Sequence, residues 1–274
     1  MMRIAALLTV HNRKEKTLKC LRALKAQKLP VGCEIDIYLT DDGCTDGTPE
    51  AIASEFPGIN IVKGDGNLFW NRGMYRAWEA ASNAYDYDWY LWLNDDTILY
   101  GNALKLLIET SVENGYAVAV GPTCAMDNSR KTTYSGFDKK STLLTPNGKS
   151  QRCFTFHGNI VLVPRLVFKK VGNLDPFYHH DLGDIDYGHC VSREGLSSYI
   201  TPSYCGCCDN NPRKPAWMRT DVRFIERWRN YHSPLAYGEP RALFHFNRKN
   251  YGLFHAIKVW SFNHIRLFFP FLKN

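Results

Sequence analysis

Five times within the first 120 residues a short apolar run gives way to a helical stretch, and no other feature restricts the fold of this chain as much. Residues 4–10, 34–40, 59–62, 89–93 and 116–120 have the length and apolar content of buried strands. Between them, residues 15–27 place Leu18, Leu21 and Leu24 at helical spacing, Thr48-Pro49 opens a helix with proline in its first turn, and residues 71–85 and 103–114 complete the alternation. Strands and helices joined by short connections predict a doubly wound α/β domain. The 274 residues suffice for one large domain with an appendage.

Two of the strands end in acids. Trp89–Leu93 runs into Asn94-Asp95-Asp96-Thr97, and the second strand runs into Asp41-Asp42-Gly43-Cys44-Thr45-Asp46-Gly47-Thr48. Ligands of open α/β sheets bind in the crevice outside the carboxyl ends of the strands, so Asp95 and Asp96 are expected there. Paired carboxylates suit a hard divalent cation that takes its remaining ligands from water and substrate phosphates. The competing reading is an Asp-Asp-Thr turn leading to a helix near Asn102. The residues after the first strand, Thr9-Val10-His11-Asn12-Arg13, are not a glycine-rich dinucleotide fingerprint, and no Walker sequence occurs. An acidic crevice repels a bare diphosphate, so a nucleotide bound there needs a cation.

Later in the chain, His157-Gly158-Asn159 breaks an otherwise apolar stretch, as a ligand-facing wall or a bulge at Gly158 would. A second concentration of acids follows in residues 175–188, with Asp184 near the start of a helix. A carboxylate there serves as a general base or as an ordinary N-cap.

Charge is unevenly spread. The formal net charge is +7, yet residues 212–274 alone hold twelve Lys or Arg against three acids, which leaves −2 for the first 211. In that tail Trp217, Phe224, Ile225 and Trp228 are expected on one helical face with Arg219, Arg223 and Arg227 on another. Residues 251–269 pair Phe254, Ile257, Ile265 and Phe268 with Lys258 and Arg266. Basic residues beside aromatic ones suit the surface of an anionic membrane. No nucleic-acid module accompanies them, so no nucleic-acid partner is expected. The first apolar run lacks a cleavage site, and the best late stretch, residues 251–272, is interrupted by Lys258 and Arg266. These features predict a cytoplasmic protein, either soluble with the tail helices packed on the domain or in peripheral contact with the inner face of the membrane. Nine scattered cysteines fit reduced thiols; Cys205, Cys207 and Cys208 resemble half a metal site whose other half is missing.

Taken in order, Leu8-Thr9-Val10-His11-Asn12-Arg13, the Asp41 to Thr48 turn, Gly66-Asn67-Leu68-Phe69-Trp70-Asn71-Arg72-Gly73-Met74, Leu93-Asn94-Asp95-Asp96-Thr97 and Gly183-Asp184-Ile185-Asp186-Tyr187-Gly188 resemble the motifs of family-2 glycosyltransferases, particularly the rhamnosyltransferase-like branch. The resemblance implies a GT-A fold. A Rossmann-like nucleotide-binding α/β half would occupy residues 1–121, an acceptor-binding half with the catalytic base residues 122–211, and the basic aromatic tail residues 212–274. It also implies metal-dependent (Mn2+ or Mg2+), inverting hexosyl transfer. The donor would be a UDP- or dTDP-linked sugar, and the acceptor a hydroxyl of a glycan or lipid-linked saccharide in cell-surface polysaccharide biosynthesis.

Carried over by position, Asp41 falls where the family hydrogen-bonds the nucleobase, and Thr9 and Arg13 lie on the loop lining that pocket. Arg72 would meet the nucleotide or its phosphates, Asp95 the donor ribose or sugar, Asp96 the metal, and Asp184 would be the catalytic base. His157, Asn159 and His180 are acceptor-side candidates, with Asp181 and Asp186 close enough to Asp184 to compete for its role. The chain departs from the pattern at Asn94, where an acid is usual, and at Gly183, where glutamate usually precedes the base. Arg227-Trp228 resembles the end of the motif of processive synthases, but Phe224 replaces its glutamine, which argues against polymerisation. A nucleotidyltransferase would want a basic glycine-rich loop in place of residues 9–13. A catalytically inactive nucleotide-sugar-binding module would not need Asp95, Asp96 and Asp184 together.

Overall fold

The computed structural model describes residues 2–127, 129–210, 215–236 and 238–272. β1 (Met2–Val10), β2 (Cys33–Asp41), β3 (Asn60–Lys63) and β4 (Trp89–Leu93) fall within two residues of their expected bounds and pair in parallel. The helices between and after them are α1 (Lys14–Lys25), α2 (Thr48–Glu55), α3 (Phe69–Ala84) and α4 (Ala103–Glu113). β5 (Val118–Val120), β6 (Gln151–Cys153), β7 (Ile160–Pro164) and β8 (Ser198–Ile200) complete an eight-stranded mixed sheet in the order β6-β8-β5-β7-β4-β1-β2-β3.

The wholly parallel sheet implied by the alternation therefore stops at β4. β7 lies between β4 and β5 and is antiparallel to both. Its five residues are all buried, as a central strand covered on both faces requires. The apolar run after His157-Gly158-Asn159 is thus a central strand, which brings that polar break to the carboxyl end of β4, where Asn94 N–H donates to Asn159 O at 3.0 Å.

Both faces of the sheet are covered. Leu18, Leu21 and Leu24 of α1, Ile52 of α2 and Leu104 and Leu107 of α4 pack with Leu91 and Leu93 on one side. Met74, Ala77 and Trp78 of α3 and Tyr187 and Val191 of α6 (Gly183–Arg193) pack with Tyr90 and Trp92 on the other, with α5 (Arg165–Val171) beside them. The aromatic run Trp89–Leu93 alternates between these two cores, which is why no residue of it is exposed. A small sheet of Ile98–Leu99, Gly206–Cys207, Thr123–Cys124 and Thr132–Tyr134 sits at the carboxyl edge.

The tail forms α7 (Phe224–Tyr231), α8 (Pro240–Tyr251) and α9 (Leu253–Phe268). The boundary expected at 211/212 lies outside the described residues. Two tail expectations are corrected. Trp217 does not share a face with Phe224, Ile225 and Trp228; it sits in a short turn, Ala216–Met218, buried against Tyr231 and Leu267. Arg227 is buried, so the arginines do not form one solvated stripe. Among the described residues, no helix is long and apolar enough to cross a membrane. α8 is clamped to the α/β body by Lys249, whose Nζ donates to Asp175 at 2.8 Å and Asp186 at 2.6 Å.

Candidate active site

A cleft of about 420 Å³ opens at the carboxyl ends of β1 and β4. Thr9, Arg13, Asp95, Asp96, Asn159 and His180 all line it, so six of the ten candidate residues converge on one space. Asp95 and Asp96 arrive because β4 ends at Leu93. Asn94 is then fixed by Trp70, whose indole Nε1–H donates to Asn94 Oδ1 at 2.7 Å, and by the Cys20 thiol on Asn94 O at 3.3 Å. The turn does not cap α4: Asn102 is its N-cap residue, and no side chain caps it. Instead Arg13 Nη1 bridges both carboxylates, 3.2 Å from Asp95 Oδ1 and 2.9 Å from Asp96 Oδ2.

The two acids differ in setting. Asp95 is buried, and burial pushes its pKa up to about 6 against the pull of Arg13. Asp96 is more open, and its Oδ1 accepts from the Cys208 thiol at 3.6 Å. Burial, with the Asp96 charge beside it, pushes that thiol up to about 12, so it remains a neutral donor. Among the described residues, no group of three or more His, Cys, Asp or Glu could hold a metal ion. The donor set of two carboxylates fits a hard cation that borrows phosphate and water oxygens, and it does not fit a structural zinc. Cys205 and Cys207 point elsewhere, Cys205 to Thr201 and Cys207 to the strand register beside Cys124.

Asp184 and His157 do not line the cleft; Asp184 stands in the first turn of α6 behind Gly158, the neighbour of the cleft residue Asn159. Its Oδ2 accepts from Gly158 N–H at 2.8 Å and its Oδ1 from Ile185 N–H at 2.8 Å. Burial raises its pKa, opposed chiefly by the nearby His157. His157 is itself held neutral by burial, with Nδ1 accepting from Ser135 N–H at 3.3 Å. Burial and the Asp184 charge push Asp181 up to about 7. Asp186 is not part of this group, since Lys249 and Asn250 bind its carboxylate on the far side of α6. Gly183 has a steric reason: a Cβ there would stand 1.8 Å from Asn71 Oδ1. Asn71 in turn holds the preceding segment, donating to Asp175 O at 2.8 Å and Tyr178 O at 3.0 Å.

Asp41 and Arg72 are also outside the cleft lining. Asp41 is bound by Lys63 Nζ at 2.8 Å and by Cys44 N–H at 2.9 Å, and the neighbouring Asp42 lines the cleft instead. Arg72 Nε donates to Pro176 O at 2.9 Å, away from the cleft lining. No sequence pattern gives Asp42, Trp70 or Asn71 a role of its own, and Cys208 stands out only as part of the half metal site. Trp70 and Asn71 lie inside the Gly66 to Met74 motif, whereas Cys208 meets Asp96 from 112 positions away, which no local pattern reveals.

A nucleotide-sized cleft thus lies at the strand ends, with an acid pair in its lining and a helix-start acid behind Gly158. The model for glycosyl transferase family 2 matches residues 6–172. This chain belongs to glycosyl transferase family 2. Among curated proteins it is similar to N-acetylglucosaminyl-diphospho-decaprenol L-rhamnosyltransferase of Mycobacterium tuberculosis, found in two strains, at 23% identity over 66% of this chain and 69% of the relative. Among solved structures it is similar to the mannosyltransferase PcManGT from Pyrobaculum calidifontis in complex with GDP-Man and Mn2+ (TM-score 0.55, 13% identity, 96% of this chain and 75% of that chain). The latter likeness shows a GT-A glycosyltransferase fold, and the family makes the chain a glycosyltransferase.

Proposed function

We propose that this family-2 glycosyltransferase moves a sugar, with inversion, from a UDP- or dTDP-linked donor to a hydroxyl of a glycan or lipid-linked saccharide in cell-surface polysaccharide assembly. One observation carries the reading: Asp95 and Asp96 line the cleft, and Asp184 stands behind its lining, bound to the N–H of Gly158, the neighbour of the cleft residue Asn159. Inversion is a single displacement. It needs a base that takes the acceptor proton on one face of the sugar and charge stabilisation for the departing diphosphate on the other. Asp184 is the base, and its raised pKa makes it a better proton acceptor than an ordinary carboxylate. Thr9 and Asp95 bind the donor, Arg13 its phosphates, and His157, Asn159 and His180 shape the acceptor side. Asp41 acts through the turn it holds, and Arg72 through the segment it binds at Pro176. A divalent cation, Mn2+ or Mg2+, held by Asp96 would supply Lewis-acid charge at the leaving phosphate.

The acceptor and membrane assignments rest on the tail. Phe254, Ile257, Ile265 and Phe268 of α9 are exposed, as are Phe224, Ile225 and Trp228 of α7, and the Phe224 and Phe268 rings stack at 5.1 Å to join the two sets. Such a face within a net basic tail suits the anionic cytoplasmic surface of a membrane, from which a lipid-linked acceptor would reach the cleft. Leu235, between α7 and α8, lines the cleft. Replacing Phe254, Ile257 and Phe268 together by serine is expected to abolish cosedimentation with phosphatidylglycerol vesicles. Unchanged cosedimentation would remove the membrane assignment.

The transfer reading is tested by calorimetric titration of UDP, dTDP, GDP and CDP, with Mn2+ or with chelator, into the wild type and Asp96→Ala. One pyrimidine diphosphate should bind only with Mn2+ and be lost in the variant. Absence of nucleotide binding under both conditions would overturn the proposal.

A further inference from the structure

Arg13 occupies the place that a cation-binding site would be expected to keep open. Three of the four carboxylate oxygens of the acid pair are engaged within the chain, Asp95 Oδ1 and Asp96 Oδ2 by Arg13 Nη1 and Asp96 Oδ1 by the Cys208 thiol at 3.6 Å, while Thr17 Oγ1 lies 3.4 Å from Asp95 Oδ2 and shares its one proton with the nearer Arg13 O at 3.0 Å. An anionic pair with one member buried needs a positive partner, and the guanidinium is that partner. A divalent ion arriving at the same oxygens must displace it, because two cations repel at contact distance.

Displacing the guanidinium leaves the backbone untouched. The main chain around Arg13 is pinned: Asn12 Oδ1 accepts from Thr45 N–H at 2.7 Å, Lys14 N–H donates to Asp46 Oδ2 at 3.1 Å, and Arg13 O accepts from Thr17 N–H at 2.9 Å. The Arg13 side chain is about half exposed (49%), so it can rotate into the cleft while its backbone stays fixed. A guanidinium matches phosphate oxygens with two parallel donors, so a nucleoside diphosphate offers it an alternative partner of the same charge type.

We propose that Arg13 is a tethered counter-ion that keeps the Asp95–Asp96 pair closed to a free divalent cation and releases it to a nucleoside diphosphate, so that nucleotide and cation bind as a coupled pair. The proposal rests on the reading of this cleft as a cation-assisted nucleotide-sugar site and adds an order to its loading. Linkage makes the coupling reciprocal: whatever factor the diphosphate adds to cation affinity, the cation adds to diphosphate affinity. Resting enzyme then leaves the free cation pool unbound and acquires the ion with the donor.

The experiment is a Mn2+ titration followed by electron paramagnetic resonance, without nucleotide and with saturating UDP or dTDP, on wild type, Arg13→Gln and Arg13→Lys. Wild type should bind Mn2+ alone weakly and gain at least about tenfold with the diphosphate. Arg13→Gln should bind Mn2+ alone at least about tenfold more tightly than wild type, with a smaller gain from the diphosphate. Arg13→Lys, which keeps a charge without the bidentate fork, should fall between them. If Arg13→Gln binds Mn2+ alone no more tightly than wild type while the diphosphate still strengthens it, the counter-ion role is overturned and the transfer reading stands. If neither diphosphate binds wild type with Mn2+, the transfer reading itself falls and takes this proposal with it.

Discussion

The acid pair in the cleft and the acid pair at the start of α6 use the same residue type in different electrostatic settings. Asp95 and Asp96 face a guanidinium that neutralises part of their charge. Asp181 and Asp184 face imidazoles, His180 and His157, whose pKa values burial lowers, and no Lys or Arg among the described residues forms a salt bridge with either acid. Burial raises Asp95, Asp181 and Asp184 alike; what separates the two sets is that Asp95 has the Arg13 guanidinium to oppose the shift, whereas Asp181 and Asp184 have no cationic Lys or Arg partner among the described residues. A carboxylate raised by burial with no cation beside it is suited to proton transfer near neutral pH.

The largest expected effect comes from removing the base. Asp184→Asn keeps an oxygen to accept from Gly158 N–H but cannot take a proton, and kcat should fall by roughly 10²–10⁴. UDP binding with Mn2+, measured by calorimetry, should not change. A variant that loses nucleotide affinity as well would break the division between the two acid sets.

A smaller effect separates the two sets through packing. Gly183→Ala would drive a Cβ to 1.8 Å from Asn71 Oδ1 and disturb the hydrogen bonds by which Asn71 holds residues 175–178. Overpacking of this kind costs roughly 1–3 kcal/mol. A lower melting temperature and a raised acceptor KM are expected, with the dissociation constant for UDP and Mn2+ unaltered. A shift in the nucleotide constant would show that the two sets are mechanically one.

The donor side was the more legible in the sequence, for a physical reason. A buried strand ending in two carboxylates is a local pattern, and β4 shows it within seven residues. The acceptor side depends on contacts distant in sequence. Asp184 reads as an N-cap until Gly158, twenty-six positions earlier, is seen to donate to it. The choice between Asp41 and Asp42 was not legible either. Adjacent identical residues differ only in which way the end of β2 turns them, and Asp42 faces the start of α3, accepting from Gly66, Leu68 and Phe69 N–H. The place of β7 in the sheet is hidden because apolar periodicity does not encode strand order. α8 is hard to read from sequence because only Ala242 and Phe246 of it join an apolar cluster, against Tyr178, and the rest of its anchor is the Lys249 pairing with Asp175 and Asp186.

The finest test concerns Asp181, whose folded pKa of about 7 stands well above the ordinary carboxylate value of about 3.9. Below about pH 4 the folded and unfolded forms are both protonated there, and its contribution to stability is fully present. As pH rises towards 7 the unfolded chain releases the proton first, the folded state binds more protons, and stability falls until the folded group has also titrated. Asp181→Asn has no such loss. Its melting temperature should therefore pull ahead of wild type between pH 5 and 8, and level off above that range. With the side chain about one-third exposed (33%), solvent screening reduces the gain to roughly 1–2 kcal/mol. Part of the raised pKa comes from the Asp184 charge, so the gain should shrink when Asp181→Asn is made in an Asp184→Asn background. An equal gain in both backgrounds would mean that burial alone sets Asp181, and that the acceptor-side acids do not act as a coupled pair.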